Sequence, residues 1–187
     1  MAPQIESMKY TLSQLAQHGD APLRVHFPDV IVTKPGASVT KATSAQQPTL
    51  SISSTMVKLD RAKKYIAIML DPDAPFPSMP LMGPIAHGIQ ADLQLSSKEQ
   101  TVGWLKLEAT QKPVLPYLAP GPPPISTPHR YLFMLWEQPE GMTSKDITSQ
   151  LTLPAEPGMM ARVRWDEEGF EKKLGLGTVL AGMYFVV

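Results

Sequence analysis

The sequence predicts a mainly β protein, an antiparallel sheet or two packed sheets with a few peripheral helices. Short apolar or alternating segments typical of strands recur along the chain, and regular helical patterns do not separate them. Twenty of the 187 residues are proline, about twice the usual share of roughly 5%. The prolines cluster at 72–84, 113–128 and 154–157, which favours rigid loops carried by a sheet.

The length and composition fit a single domain over residues 1–187, because a chain of this size builds one sizeable core. Seventeen basic and seventeen acidic residues cancel, and no block of like charges occurs, so we expect no nucleic-acid partner. Cysteine is absent, which excludes disulfides, thiolate metal sites and cysteine nucleophiles.

The N-terminal residues 1–9 lack the basic start and apolar middle of a signal peptide, so we expect a cytoplasmic protein. Residues 74–91 contain no Asp, Glu, Lys or Arg. Four prolines would break any helix in that stretch, so we interpret it as a long loop and expect no membrane span.

The first predicted element is a helix at residues 5–17, where apolar side chains fall near one face and Gly19 follows. We expect residues 1–21 to form a helical extension that packs on the domain. Residues 23–27 and 49–53 alternate in the manner of strands.

The uninterrupted apolar segment Tyr65–Leu70 predicts a strand buried on both faces. It ends at Pro72, because proline cannot continue a sheet ladder. Asp71 and Asp73 therefore lie where the sheet ends, and they share one side of the turn if it stays extended.

A strand predicted at 87–93 starts with His87 and turns it toward Ile89, Ala91 and Leu93 on the apolar side. A further strand is predicted at 102–107.

The proline-rich residues 115–124 exclude both a helix and a paired strand, so they form a loop that leads to the strongest strand pattern, 128–137. There His129 and Tyr131 fall on one apolar face. Near the C-terminus, Asp166 as N-cap and Gly175 as stop delimit a helix. Residues 179–187 read as a closing strand.

Five ionisable side chains are thus predicted at strand ends near an apolar interior: Asp71, Asp73, His87, His129 and Tyr131. If they meet, the imidazoles and the tyrosine hydroxyl offer donors, the aspartates orient the imidazoles, and Gly121 lets a ligand approach the backbone. Such a group would form a small pocket for an oxyanion or a carbonyl oxygen.

Simpler roles stay open for some of these residues. An Asx-type turn contact is as well supported for Asp73 as a ligand contact, and Arg130 fits a structural ion pair. Two histidines and two aspartates are an acceptable ligand set, but no compact spacing supports a metal site and we expect none. The motifs of hydrolases, kinases and dehydrogenases are absent, and no cofactor is expected.

The motifs resemble those of the phosphatidylethanolamine-binding protein family, whose members include Raf kinase inhibitor proteins and fungal carboxypeptidase Y inhibitors. The resemblance rests on Asp71-Pro-Asp-Ala-Pro75, on His87, and on Pro120-Gly-Pro-Pro123 leading to Pro128-His-Arg-Tyr131. It implies a β-sandwich with a small anion pocket, often built around a cis peptide in the first motif. The residues implied for the pocket are Asp71, Asp73, His87, Gly121, His129 and Tyr131, with Pro75 and Pro123 shaping it.

One departure concerns Gly88, which stands where family members usually carry a tryptophan or phenylalanine. A glycine there raises flexibility and removes packed apolar area. Together with Phe76, Met79 and Met82 in the preceding loop, it favours a larger and more apolar ligand than a phosphate head group.

Two functions of different classes follow. The first is a binding or regulatory module for a small molecule, either an anionic head group or a hydrophobic carbonyl metabolite, with a protease or kinase as a possible protein partner. The second is a cofactor-independent isomerase, dehydratase or cyclase of a secondary-metabolite pathway. In that enzyme, His87 or His129 is the general acid/base, Asp71 the orienting carboxylate, and Tyr131 polarises a carbonyl.

Overall fold

The computed structural model describes residues 7–187, and within that range the chain forms nine strands and three α-helices. The strands are β1 (Leu23–His26), β2 (Ile31–Val32), β3 (Ala37–Ser38), β4 (Thr49–Ser53), β5 (Tyr65–Asp71), β6 (Ile85–Thr101), β7 (Trp104–Ala109), β8 (Arg130–Glu137) and β9 (Ala181–Val186). The helices are α1 (Ser7–His18), α2 (Ser144–Leu151) and α3 (Glu167–Leu174). The beginning of the predicted N-terminal helix, before Ser7, lies outside the described residues.

All nine strands belong to one sheet, in the order β2-β1-β4-β7-β6-β5-β8-β9-β3. Neighbours are antiparallel, except that β3 runs parallel to β9. The sheet curls until its two ends meet, where the rings of Phe27 and Phe185 pack edge to face with centroids 5.3 Å apart. The prediction of a mainly β fold is confirmed.

The central strand β5 is buried along its whole length, as its continuous apolar sequence predicts. Met69 pairs with Phe133 on the inner face of the curled sheet. The neighbouring residues of β5 face outward, toward the helices, where Trp136 packs on Phe170 of α3 with ring centroids 6.0 Å apart. No helix within residues 7–187 combines the length and apolar character needed to cross a bilayer.

The C-terminal helix α3 follows its sequence signals. The side chain of Asp166 accepts a hydrogen bond from the backbone N–H of Gly169, and Gly175 closes the helix in the left-handed conformation. The prediction of this helix is confirmed. The helix α2 was not predicted, although Thr143 and Asp146 form a capping box at its start.

The strand β6 departs from simple alternation at His87. Met69 pairs with Gly88 and Leu70 pairs with Ala86, so His87 is the extra residue of a β-bulge. The bulge keeps His87 on the inner face beside Gly88. The prediction that His87 shares a face with Ile89, Ala91 and Leu93 was therefore wrong for Ile89, which pairs with Ile68, because alternation assumes an unbroken register.

Candidate functional site

The site lies at the inner face of the sheet, where β5 ends in the turn that starts at Asp71. One carboxylate oxygen of Asp71 accepts a hydrogen bond from the backbone N–H of Asp73 at 2.8 Å. Asp73 itself turns toward Arg130, whose backbone N–H and guanidinium donate to its carboxylate at 2.6–2.9 Å. Asp73 thus ties the turn to β8, and the predicted structural ion pair of Arg130 is confirmed.

The second carboxylate oxygen of Asp71 holds His129, at 2.9 Å from Nδ1. The other ring nitrogen, Nε2, lies 2.9 Å from the Ser126 hydroxyl and 3.1 Å from the carbonyl of Pro75. The carbonyl is only an acceptor, so Nε2 carries a hydrogen. His129 has all its hydrogen-bonding capacity in use.

His87 is held differently. Its Nδ1–H donates to the carbonyl of Leu118 at 2.8 Å, whereas its Nε2 lies 4.0 Å from Asp71 Oδ2, too far for a hydrogen bond. Burial, aided by the charge of Arg162 and the proximity of His129, lowers the pKa of His87 and outweighs the opposing effects of Leu118 and Asp71. The imidazole is therefore neutral near pH 7, with an available lone pair on Nε2.

Tyr131 completes the group. Its ring stands edge-on to that of His87, with centroids 5.1 Å apart, and its buried hydroxyl has no hydrogen-bond partner among residues 7–187. Burial raises the pKa of Tyr131, and the charge of Asp71 adds to the effect, so the hydroxyl keeps its proton and is a donor. The backbone N–H of Gly121 lies close to this hydroxyl and opposes the shift, but outside hydrogen-bond geometry.

Of the residues predicted for the site, Asp71, His87, His129 and Tyr131 converge, and Gly121 borders them. Pro75 contributes its carbonyl to His129, whereas Pro123 accepts a turn hydrogen bond from Ser126. Cis peptide bonds precede Pro75 and Pro84. No group of three or more His, Asp or Glu side chains in the described part of the chain has an arrangement that could hold a metal ion.

Three contacts of the site had no sequence signal. The carbonyl of Leu118 fixes the tautomer of His87, and Ser126 contacts His129. Arg162 is also buried and donates to the carbonyls of Ala86 and Pro116, which joins β6 to the proline-rich loop. Backbone acceptors and distant arginines of this kind follow from the tertiary fold and have no local pattern.

A cavity of about 540 Å³ adjoins this group on the inner face. Gly88, Met69 and Phe133 form one wall of it, and Leu107 and Tyr117 lie on others. Tyr117 is anchored by a hydrogen bond from its hydroxyl to the carbonyl of Ser44 at 2.7 Å. Gly88 therefore faces the cavity.

Solved structures share the fold. The crystal structure of carboxypeptidase Y inhibitor complexed with its cognate proteinase matches with a TM-score of 0.68 and 18% identity, over 97% of this chain and 92% of that one. A phosphatidylethanolamine-binding protein from Plasmodium vivax matches with a TM-score of 0.61 and 16% identity, over 97% and 94% of the two chains.

The chain is also similar in sequence to known proteins. Carboxypeptidase Y inhibitor of Saccharomyces cerevisiae is 30% identical over 92 residues, which are 45% of this chain and 42% of that protein. Phomoidride biosynthesis cluster protein N of Talaromyces stipitatus is 33% identical over 104 residues, 55% of this chain and 49% of that protein. The chain thus matches less than half the length of either relative.

The family model for phosphatidylethanolamine-binding proteins matches residues 28–183, a span that contains all the residues of the site. The protein therefore belongs to the phosphatidylethanolamine-binding protein family.

Proposed function

We propose that the protein binds a small organic molecule through a carboxylate or carbonyl oxygen at the group formed by Asp71, His87 and Tyr131. One observation carries the proposal: among residues 7–187, the buried hydroxyl of Tyr131 has no hydrogen-bond partner, and Nε2 of the neighbouring His87 makes no hydrogen bond. Buried polar groups are almost always paired in native proteins. A bound ligand supplies the missing partners.

The charges of the group indicate how such a ligand is held. Tyr131 and the backbone N–H of Gly121 are donors, which suit an oxygen that accepts. Neutral His87 is an acceptor and lies near the carboxylate of Asp71, so a bare anion meets an unfavourable field there. A carboxylic acid that brings its own proton can donate to His87 and accept from Tyr131. A carboxylate can do so when its binding is accompanied by uptake of one proton from solvent onto His87.

The test is an NMR titration of the protein with acetate and, separately, with inorganic phosphate. We expect both probes to shift the side-chain signals of His87 and Tyr131. Tyr131→Phe removes the unpaired donor and should weaken binding by about twofold to tenfold, the usual worth of a net hydrogen bond.

His26 serves as the internal control, because it pairs with Ser51 at 2.7 Å, away from the site. His87 signals that stay unmoved at saturating concentrations of both probes would refute the proposal.

A second candidate is a cofactor-independent isomerase, dehydratase or cyclase that acts on a hydrophobic carbonyl compound. Two observations favour it: an available lone pair on buried His87 beside Asp71, and the similarity to a protein of a biosynthesis cluster. His87 is then the general base, and Tyr131 donates to the carbonyl oxygen on which charge develops.

Proton abstraction is measurable without knowing the substrate. A panel of apolar β-keto and α,β-unsaturated acids is incubated with the protein in D₂O, and deuterium incorporation is followed by mass spectrometry. We expect incorporation with wild type and its loss in His87→Gln, which retains a donor for Leu118 and should retain the melting temperature. Equal incorporation by the two proteins rules out His87 as the base.

A protein partner such as a protease is a further part of the proposal, supported by the similarity to carboxypeptidase Y inhibitor. Titration of carboxypeptidase Y activity with this protein tests it directly. Inhibition at a fixed stoichiometry supports a protease partner, whereas unchanged peptidase activity at excess protein argues against this one.

A further inference from the structure

The cavity beside the histidine group is large enough for a ligand of its own. Its volume of about 540 Å³ lies within the range of roughly 300–1,000 Å³ typical of small-molecule sites. Its walls are mainly apolar, and the side chains that the following steps use are Met69, Leu107, Tyr117 and Phe133.

The cavity and the histidine group are adjacent along three segments of the chain. Gly88 lines the cavity and directly follows His87. Phe133 lines it two residues after Tyr131 on the inner face of β8, and Tyr117 lines it next to Leu118, whose carbonyl holds His87. A molecule with its polar end at His87 therefore has an apolar space within reach.

Gly88 keeps this space open. A Cβ atom built at Gly88 would lie 3.5 Å from the Cα of Tyr117 and 3.6 Å from the carbonyl oxygen of Leu115, ordinary contact distances. The backbone at Gly88 is not in the left-handed region, so neither sterics nor conformation demand a glycine there. What its missing side chain provides is unfilled volume beside His87.

Part of the cavity lining is exposed to solvent. Gln47, Glu108 and Ala109 line the cavity and are exposed, so a ligand has a route of entry that does not require the buried histidine group to open.

We propose that this cavity binds the apolar body of an aliphatic or cyclic carboxylic acid, or of the matching carbonyl compound, whose oxygen-bearing end lies at His87 and Tyr131. The inference rests on the proposed function, which supplies the polar end, and adds the class of ligand. The protein thereby selects amphiphilic acids over small inorganic anions.

The experiment uses linear carboxylates from acetate to octanoate, with binding measured by NMR shifts and calorimetry. Burial of each added methylene should tighten binding about fourfold until the cavity is filled. Gly88→Leu places a side chain in the cavity and should weaken octanoate binding at least tenfold while leaving acetate binding within about twofold, a difference that reflects lost apolar contact.

Gly158→Leu is the matched control, because Gly158 is exposed, has nothing within 4 Å of a built Cβ, and does not line the cavity. It should bind octanoate as wild type does. If Gly88→Leu fails to fold, Ala109→Trp at the exposed mouth serves as a second obstruction with the same expected loss.

Neutral 1-octanol separates this inference from the proposed function. Binding of octanol to wild type but not to Gly88→Leu supports the apolar site. This holds even if acetate does not shift the NMR signals of His87, a result that would refute only the proposed binding of the polar end. Acetate binding with no gain along the carboxylate series, or a gain that both obstructing variants retain, would overturn the cavity assignment.

Discussion

His87 and His129 have the same setting in the sequence, a histidine at the start of an apolar strand, but their partners give them different roles. His129 is held by Asp71, Ser126 and the carbonyl of Pro75, so both ring nitrogens are occupied. Within the described part of the chain, His87 uses only one ring nitrogen, Nδ1, for a hydrogen bond, to the backbone carbonyl of Leu118, and its Nε2 has no hydrogen-bond partner. His87 is therefore the histidine of the site that has a ring nitrogen available to a ligand.

The buried position of His87 predicts a pH-dependent stability. Because burial lowers its folded-state pKa below the ordinary 6.5, the unfolded chain binds more protons as the pH falls below that value, and the folded state loses stability. The free energy of unfolding, measured with urea, should be smaller at about pH 5.5 than at about pH 7.5. His87→Gln should show a weaker decrease.

His26 is the comparison for this prediction, because burial and the nearby charges of Arg24 and Lys106 also lower its pKa. His26→Gln should remove a separate part of the same slope. An unchanged slope in His87→Gln would show that its imidazole does not carry the dependence.

Replacement of Arg130 should lower the stability of the protein by more than the loss of its charge explains. Its guanidinium donates twice to the nearly buried carboxylate of Asp73, and its backbone N–H donates a third time. Arg130→Met leaves the carboxylate with the backbone donor and should cost about 1–3 kcal/mol in urea unfolding. Arg130→Lys retains the charge but cannot donate to both carboxylate oxygens in the same way, so its free energy of unfolding should lie between those of wild type and Arg130→Met. A lysine variant as stable as wild type would contradict this explanation.

Among the helices and strands, the sequence predicted the ends that are fixed by interactions between residues close together in the chain. The end of β5 at Asp71 follows from Pro72, and α3 follows from its caps at Asp166 and Gly175. The face occupied by His87 could not be predicted in the same way. It depends on a register shift against β5, and register is set by the partner strand.

Asp92 of β6 contacts the start of α2, and we expect this contact to be sensitive to acid. Its buried carboxylate accepts hydrogen bonds from Lys64 and Gln138, and from the backbone and hydroxyl of Ser144 at the N-terminus of α2. Burial by itself would raise the pKa of Asp92, but these donors, Lys64 foremost, lower it to about 2.

Because the folded-state pKa of Asp92 is depressed, its contribution is present above about pH 4 and is lost as the pH falls toward 2. Asp92→Asn should cost roughly 2 kcal/mol at neutral pH, and asparagine tolerates the left-handed backbone of this position. Urea unfolding should show a smaller difference in the free energy of unfolding between wild type and Asp92→Asn at about pH 3 than at about pH 7. Asp29→Asn, at an exposed position, is the control. If wild type and Asp92→Asn differed in stability by the same amount at both pH values, the contribution of Asp92 would not come from its charge.

For the whole molecule, motif residues predicted the polar half of the site, because Asp71, His129 and Tyr131 lie at strand ends that a curled sheet brings together. The cavity had no such signal. Its walls come from β4 to β8 and from the loop around Tyr117, and its volume depends on how the sheet closes. The sequence feature that indicated it is Gly88, a glycine at a position where family members usually have an aromatic side chain.

The helix α1 docks over β9, and the contact between them is tight at Gly182. A Cβ atom at Gly182 would overlap the Cγ2 methyl of buried Thr11 and lie 3.4 Å from the carbonyl oxygen of Phe133. Gly182→Ala should therefore destabilise the protein by about 1–3 kcal/mol, because a β-branched side chain has little freedom to move aside.

Thr11→Ser removes the methyl in question and should by itself cost about 1 kcal/mol for the lost buried group. Combined with Gly182→Ala it should restore stability, so that the double variant is more stable than the sum of the single effects by at least about 1 kcal/mol in urea unfolding. Gly177→Ala, with nothing within 4 Å of its built Cβ, should leave stability nearly unchanged. Strict additivity of Gly182→Ala and Thr11→Ser would mean that the helix adjusts as a body, and that α1 is not held on the sheet by this single close contact.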